Sequence, residues 1–409
     1  MLDHTHDEKA TSWVESANLP ETPFPVQHLP LGRSFGRALV AIGDQVVDLS
    51  AIAREKSLPV SDLSQGNLLG LADPAARREL RHWLFEQLTS TTSWLAGHRH
   101  FLRPLAEVQL ILPFVVGDYT DFYASIHHAT RVGSMFRPDN PLLPNYTWVP
   151  IGYHGRASSL VVSGTPVPRP SGQLKADEAP APVFGPCKML DYELELGCWV
   201  GHGNALGQPI ELAQARHHWI GVSLLNDWSA RDIQRWEYQP LGPFLAKSFA
   251  TSVSPWITTQ EALAPFFCPA AAHSPPPLDY LNDPADQREG ALDLQLEVEL
   301  GGQIISRSNS KNLFWTLGQM LTHHASNGCP MRPGDLLASG TISGETPESA
   351  GCLLELTWVG PGQPRRPVAL QDGSTRTFLQ QGDEVVLRGW ARRAGFRSLG
   401  LGECRGAIL

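Results

Sequence analysis

Along most of this chain apolar and polar residues alternate in short runs broken by glycine and proline, the period-two signature of strands with one face in a core. Ala38–Ile42 and Gln45–Leu49 flank a turn at Gly43-Asp44 and predict an early hairpin. A helical period follows. Asp73 is placed as N-cap and Pro74 as first helical residue, and Leu80, Trp83, Leu84 and Leu88 line one face. Arg77, Arg78 and Arg81 fall on the other side, which is expected to be solvated. A second helix is expected from about Lys311 to Asn327, ended by Gly328. The proline-rich stretches Thr165–Pro186 and Ala264–Asp286 read as extended surface excursions. Residues 1–24 read as a flexible tail, and Ile111-Leu112-Pro113 as a domain boundary. The divisions expected are therefore 1–24, 25–113 and 114–409.

One alternating run carries chemistry. In Asp191-Tyr192-Glu193-Leu194-Glu195-Leu196 the two glutamates share a strand face while Tyr192, Leu194 and Leu196 point to the other. Like charges held that close repel, and a cation relieves them. Oxygen-only donors favour a hard divalent ion over zinc. A solvated strand face is the plain alternative, and Leu292–Glu299 shows the same alternation with no reason to bind metal. Pattern alone leaves both open.

Other candidates lie apart in sequence. Asp121 stands in Gly117–Tyr123, with His127, His128 and Arg137 after it. Asp227 ends an apolar run and shares a helical face with Arg231 and Gln234, so it is an N-cap, an ion-pair partner of Arg231 or a ligand. Either His127 or His128 could serve as a base near neutral pH. Glu355 falls on what reads as another alternating strand. His217-His218 and His323-His324 read as surface or capping pairs, and Gly201–Gly207 has the wrong spacing for a dinucleotide loop.

Composition narrows the class. A chain of 409 residues can hold two domains, and its net charge of −9 argues against a nucleic-acid partner. Six scattered cysteines without a C-x-x-C pair read as reduced core residues of a cytoplasmic protein. No secretory signal and no run of membrane-spanning length is visible, so no membrane partner is expected.

The strings around Asp121, Glu193 and Asp227 occur in order with YHGRAS at Tyr153–Ser158, Lys247-Ser248-Phe249, TSVSPW near Thr251 and ASGTISG at Ala338–Gly344. Together they resemble the fumarylacetoacetase family from about Pro25 to the C-terminus. The resemblance implies a β-rich α+β fold, an N-terminal SH3-like β-barrel followed by a mixed β-roll, and a homodimer formed through that roll. It implies Mg²⁺ or Ca²⁺ held by Asp121, Glu193, Glu195 and Asp227, with Lys247 and Thr251 behind them. It selects His128 over His127 as general base, oriented by Glu355. Arg231, Gln234 and Lys247 match the oxyanion donors; Tyr123, Arg137, Tyr153, Gln234, Tyr238 and Thr341 match the substrate contacts. The implied reaction is hydrolysis of the C–C bond of 4-fumarylacetoacetate, a diketo diacid, to fumarate and acetoacetate, the last step of tyrosine and phenylalanine degradation. A relative acting on another oxo-acid, or an inactive binding protein, is the rival. One departure stands out: Ala250 replaces a glycine of the family string.

Overall fold

A computed structural model describes residues 2–60 and 63–409, and the chain is β-rich with short helices between strands. Near the N-terminus an antiparallel sheet runs in the order Leu102–Pro104, Gln45–Asp48, Arg37–Ile42, Leu31–Ser34, Leu110–Ile111. The expected hairpin forms, with Ile42 opposite Gln45. Gly43 turns it at φ 56°, and a Cβ there would lie 2.3 Å from Ser16 Oγ. Glycine is required on both counts.

The helix Pro74–Thr89 starts as expected, Asp73 accepting from the Ala75 N–H. Of its three arginines Arg78 is exposed as expected, but Arg77 and Arg81 are not, because Glu261 and the first residues of the chain cover them. Arg77 is buried in a bidentate pair with Glu261 at 2.7 and 2.8 Å. Buried Arg81 donates to Thr5 Oγ1 at 2.9 Å and to the His28 carbonyl at 2.8 Å. The segment expected to be a flexible tail is therefore packed: Thr5, His6, Ser12, Val14 and Ala17 are buried. His6 Nε2 reaches the Glu261 carbonyl at 2.8 Å, and Trp13 Nε1 donates to the Gln87 carbonyl at 2.9 Å. Polar composition misled here because Thr5 satisfies buried Arg81, while a few apolar residues, Val14 and Ala17, join the neighbouring core.

The second expected helix is shorter than its apolar pattern. A single 3₁₀ turn, Ser310–Asn312, precedes extended chain in which Phe314 N–H donates to the Ala124 carbonyl and Trp315 is fully buried. The helix itself is Leu317–Ala325, opened by a reciprocal cap between Thr316 and Gln319. Gly328 lies beyond its end at φ 83°.

A mixed eight-stranded sheet positions the candidate site. Its path is Gly152–His154, Tyr119–Phe122, Leu336–Ala338, Leu194–Val200, Trp219–Asp227, Thr251–Val253, Leu160–Val162, with Thr258–Thr259 pairing alongside Trp219–Asp227. Two neighbouring pairs are parallel, Leu336–Ala338 with Tyr119–Phe122 and Thr251–Val253 with Leu160–Val162. One face packs on an antiparallel four-stranded sheet, Gln303–Asn309, Leu294–Leu300, Glu384–Ala391, Leu399–Ala407. Gly389 marks the close approach, since a Cβ there would meet Leu296, Leu224 and Leu401 at 3.1–3.3 Å. The other face packs on the N-terminal sheet, where Val40, Leu84, Trp199, Leu225 and Leu336 share one core. Thr165–Pro186 contains a hairpin, Ser171–Leu174 with Val183–Pro186, that leaves Val183 and Phe184 exposed. Among the described residues no helix is long and apolar enough to cross a membrane, and each of the six cysteines is free.

Candidate active site

The central strand pairing brings distant acids together. Leu194 lies opposite Asn226 and Ala338 beside Asp121, so Asp121, Glu195 and Asp227 cluster where these strands end. Glu193 sits between strands rather than within one, its N–H bound by the Asn226 side chain at 3.0 Å. Oxygens of Asp121, Glu193, Glu195 and Asp227 all lie within 4.8 Å of one another, and all four residues are buried. Gly340, at φ 74°, donates its N–H to Asp121 Oδ1 at 3.1 Å and to Glu195 Oε2 at 3.0 Å. A Cβ at Gly340 would lie 2.1 Å from the Phe122 carbonyl oxygen.

Cations face one side of this group. Lys247 Nζ is paired with Glu193 and lies 2.8 Å from Asp227 Oδ2. Arg231 Nη1 lies 2.7 Å from Glu193 Oε1. Burial would raise the Glu193 carboxyl, but Lys247, Arg231 and His128 outweigh it and hold it well below its ordinary range. Burial works against the Lys247 charge too, yet Asp227 and Glu193 push that ammonium upward. For Asp121 and Glu195, Lys247 helps too little. Burial and then Asp227 push Asp121 well up, and burial and then Asp121 push Glu195 well up. Glu195 Oε1 is buried without a hydrogen-bond partner. An all-oxygen set with excess negative charge and an orphaned carboxylate oxygen fits a divalent cation. Thr251 Oγ1 donates to Asp227 Oδ1 at 2.6 Å and Tyr153 OH to Asp227 Oδ2 at 2.9 Å, fixing that carboxylate.

The structure distinguishes the adjacent histidines. His128, buried in the first turn of the helix Ile126–Phe136, places Nδ1 2.6 Å from Glu355 Oε2. An ionised carboxylate can only accept, so Nδ1 carries a proton, and the neutral ring then has its lone pair on Nε2. His127 is half-buried, and burial with Arg131 lowers its pKa. Glu355 is not on a strand. It lies in the short helix Leu353–Leu356, whose Leu353 and Leu354 N–H groups are bound by Asp191 at 2.8 and 2.9 Å. Burial would raise its carboxyl, but His128, Ser343 and Arg131 hold it at about 2. Ser343 Oγ donates to Oε2 at 2.7 Å, and Arg131 Nη1 donates to Oε1 at 3.2 Å. The Cys352 sulfur sits 3.2 Å from the same carboxylate, with burial and then Glu355 pushing its thiol well up.

Of the expected substrate contacts, Tyr123 meets the His128 ring edge-on at 5.3 Å between centroids. Arg231 Nη2 and Thr341 Oγ1 are buried without protein partners. Gln234 Oε1 accepts from Arg231 Nη1 at 3.2 Å. Tyr238 caps the helix Arg231–Glu237 and takes a hydrogen bond from Gln239 Nε2 at 3.1 Å. Arg137 is not gathered in: it is exposed and donates to the Pro141 carbonyl at 3.1 Å. Ala250 is buried, and among the described residues Leu29 is the one non-glycine at positive φ, so the alanine carries no backbone strain. Arg131, Ser343, Gly340 and Asp191 were not singled out from sequence. Asp191 had a signal, since it continues the alternation of Glu193 and Glu195.

Residues 118–408 match the family model described as fumarylacetoacetate (FAA) hydrolase C-terminal. The chain belongs to the fumarylacetoacetase family. It is 47% identical to the fumarylacetoacetase of Arabidopsis thaliana, an alignment covering 95% of this chain and 96% of that one. It is 46% identical to that of Bos taurus, covering 95% and 97%. A fumarylacetoacetate hydrolase structure from the psychrophile Exiguobacterium antarcticum aligns with TM-score 0.51 at 18% identity, covering 93% of this chain and 98% of that one. That likeness concerns the fold alone.

Proposed function

We propose that this fumarylacetoacetase-family protein hydrolyses the C–C bond of 4-fumarylacetoacetate to fumarate and acetoacetate. The observation that carries this reading is the buried four-acid group beside a His128–Glu355 pair, in a chain matched almost end to end by fumarylacetoacetases. Asp121, Glu193, Glu195 and Asp227 would hold Mg²⁺ or Ca²⁺, with Lys247 and Thr251 bracing Glu193 and Asp227. When bound, the ion supplies Lewis-acid stabilisation of the diketone oxygens and a template for the substrate.

His128 Nε2 takes a proton from water, which adds to the ketone carbonyl of the fumaroyl group. Glu355 holds the tautomer and stabilises the imidazolium that forms. Negative charge then develops on the carbonyl oxygen. Arg231 Nη2, buried and unsatisfied, is suited to receive it, with Gln234 and Lys247. Collapse breaks the C–C bond between that carbon and the central methylene, and the acetoacetate carbanion takes up the proton held by the His128 imidazolium. Tyr123, Tyr153, Tyr238 and Thr341 offer hydroxyls to the substrate, and Arg137 offers a bidentate grip on a terminal carboxylate from the exposed segment it occupies. Arg137→Lys should raise KM, and an unchanged KM removes Arg137 from the binding site.

The SH3-like description is proposed for residues 25–113, supported by their five-stranded antiparallel sheet, and 114–409 is proposed as the catalytic unit. A homodimer is supported by exposed Val183, Phe184, Leu241 and Phe244. The deciding experiment follows the ultraviolet absorbance of fumarylacetoacetate and the appearance of fumarate with purified protein and added Mg²⁺ or Ca²⁺. Loss of absorbance with stoichiometric fumarate supports the reading. No turnover of fumarylacetoacetate, with cleavage of an acylpyruvate instead, overturns it.

A further inference from the structure

Asp191 has no contact with the four-acid group in the arrangement described above, yet it touches both halves of the proposed machinery. Its side chain is fully buried and all its acceptor positions are used. Oδ1 accepts from the N–H groups of Tyr192 at 2.9 Å and Leu353 at 2.8 Å. Oδ2 accepts from Leu354 N–H at 2.9 Å and from Arg231 Nε at 3.0 Å. One end of this arrangement is the guanidinium whose Nη1 grips Glu193 and whose Nη2 is unsatisfied. The other is the single turn that carries Glu355 to within 2.6 Å of His128. The main chain repeats the link: Leu190–Asp191 pairs with Ser229–Ala230, immediately before Arg231.

We propose that Asp191 is a positioning residue for the hydrolysis, holding the Arg231 guanidinium and the Glu355 turn in fixed register with one carboxylate. The proposal rests on the roles given above to Arg231 and to His128–Glu355. Its physical basis is the count of donors. A guanidinium can pivot about its last bonds, and a four-residue turn has little hydrogen bonding of its own to fix its place. The carboxylate removes both freedoms, since each of its oxygens takes two donors. No amide can replace it. Whichever way an asparagine were placed, its NH₂ would face two N–H groups, either Tyr192 and Leu353 or Leu354 and Arg231.

The test measures kcat, KM, bound metal and melting temperature for Asp191→Asn, Arg231→Lys, Glu355→Gln and the two doubles containing Asp191→Asn. Asp191→Asn should lower kcat on the order of a hundredfold, the scale of a 1 Å misplacement, with KM and metal content little changed. Added to Arg231→Lys or to Glu355→Gln, it should cost clearly less than it does alone. Unchanged kcat, a rise confined to KM, or full multiplication of effects in both doubles overturns the proposal. Should Asp191→Asn fail to fold, Asp191→Glu keeps the charge and displaces the carboxylate. Its kcat should fall while melting stays near that of the parent, and an unaltered kcat overturns the proposal equally. Failure of the underlying reading looks different: Arg231→Lys and Glu355→Gln would themselves leave kcat intact, and the proposal would fall with it.

Discussion

Glu193 and Glu195 stand two residues apart on one alternating run, Glu297 and Glu299 on another, and the two pairs meet opposite environments. Leu194–Val200 lies inside its sheet and is buried along its whole length. Its Glu195 and the adjoining Glu193 share a closed space with Asp121 and Asp227. Leu294–Leu300 buries Leu294, Leu296, Val298 and Leu300, while its other face looks outward. There Glu297 meets Arg307 at 2.9 Å and Glu299 pairs with Arg388. The alternation is the same; what covers the polar face differs. A buried acid cluster needs a counter-ion, whereas a surface acid has water and arginines.

Removing an acid from the buried run should break the comparison most severely. Asp227→Ala or Glu195→Ala should abolish metal binding measured by equilibrium dialysis. Turnover should fall roughly a thousandfold or more, since metal assistance is worth several kcal/mol at about 1.4 kcal/mol per decade. Retained activity in chelated parent protein would end the metal reading.

Next comes the base. His128→Asn should lower kcat by about a hundred- to ten-thousandfold, with His127→Asn nearly silent and metal content normal in both. Glu355→Gln should add almost nothing to His128→Asn, because the pair acts as a unit. The reverse pattern, with His127 essential, would reassign the base.

A pH series sharpens the contrast. In chelated protein Asp121 and Glu195 are raised above their ordinary values, so the folded state holds protons that the unfolded state releases. Stability of the chelated form should therefore fall as pH rises above the ordinary carboxylate range, and added divalent cation should restore it. Glu355 has the opposite sign. Held at about 2 against an ordinary 4.5, it stabilises above 4.5 and loses that contribution as pH falls towards 2. Glu355→Gln should flatten the acid limb of a melting-temperature profile. A chelated protein whose stability rises through neutral pH would contradict the first assignment.

The smallest effect belongs to the outward run. Glu297→Ala should change stability by no more than about 1 kcal/mol and leave metal content and turnover unaltered. A loss of activity there would mean that the alternation, not its covering, sets the role.

Much of the site was legible because the acids lie in unusual strings whose order is diagnostic. Asp121, Glu193, Glu195 and Asp227 converge in space, and His128 meets Glu355. Less legible was whatever depends on partners distant in sequence. Arg77 and Arg81 look like a solvated stripe until Glu261, Thr5 and His28 are placed against them. The helix expected from about Lys311 starts late, because Phe314 is tied to the Ala124 carbonyl, Trp315 is buried and Thr316 is the cap. Glu355 reads as a strand residue because nothing local announces that Asp191, 162 positions earlier, ties the N–H of Leu353. Tertiary hydrogen bonds overrode local pattern in each case.

Gly340 limits how such a site can vary by descent. The donor shared by Asp121 and Glu195 is main chain, so no codon change can exchange it for a stronger or weaker one. A change at that codon adds a side chain where the Phe122 carbonyl oxygen leaves no room, at a left-handed φ that side chains resist. The codon is thus all or nothing. Drift in ion preference among descendants must come through the acids themselves or through Lys247 and Thr251, while the peptide that clamps two of those acids stays outside the reach of selection by degrees.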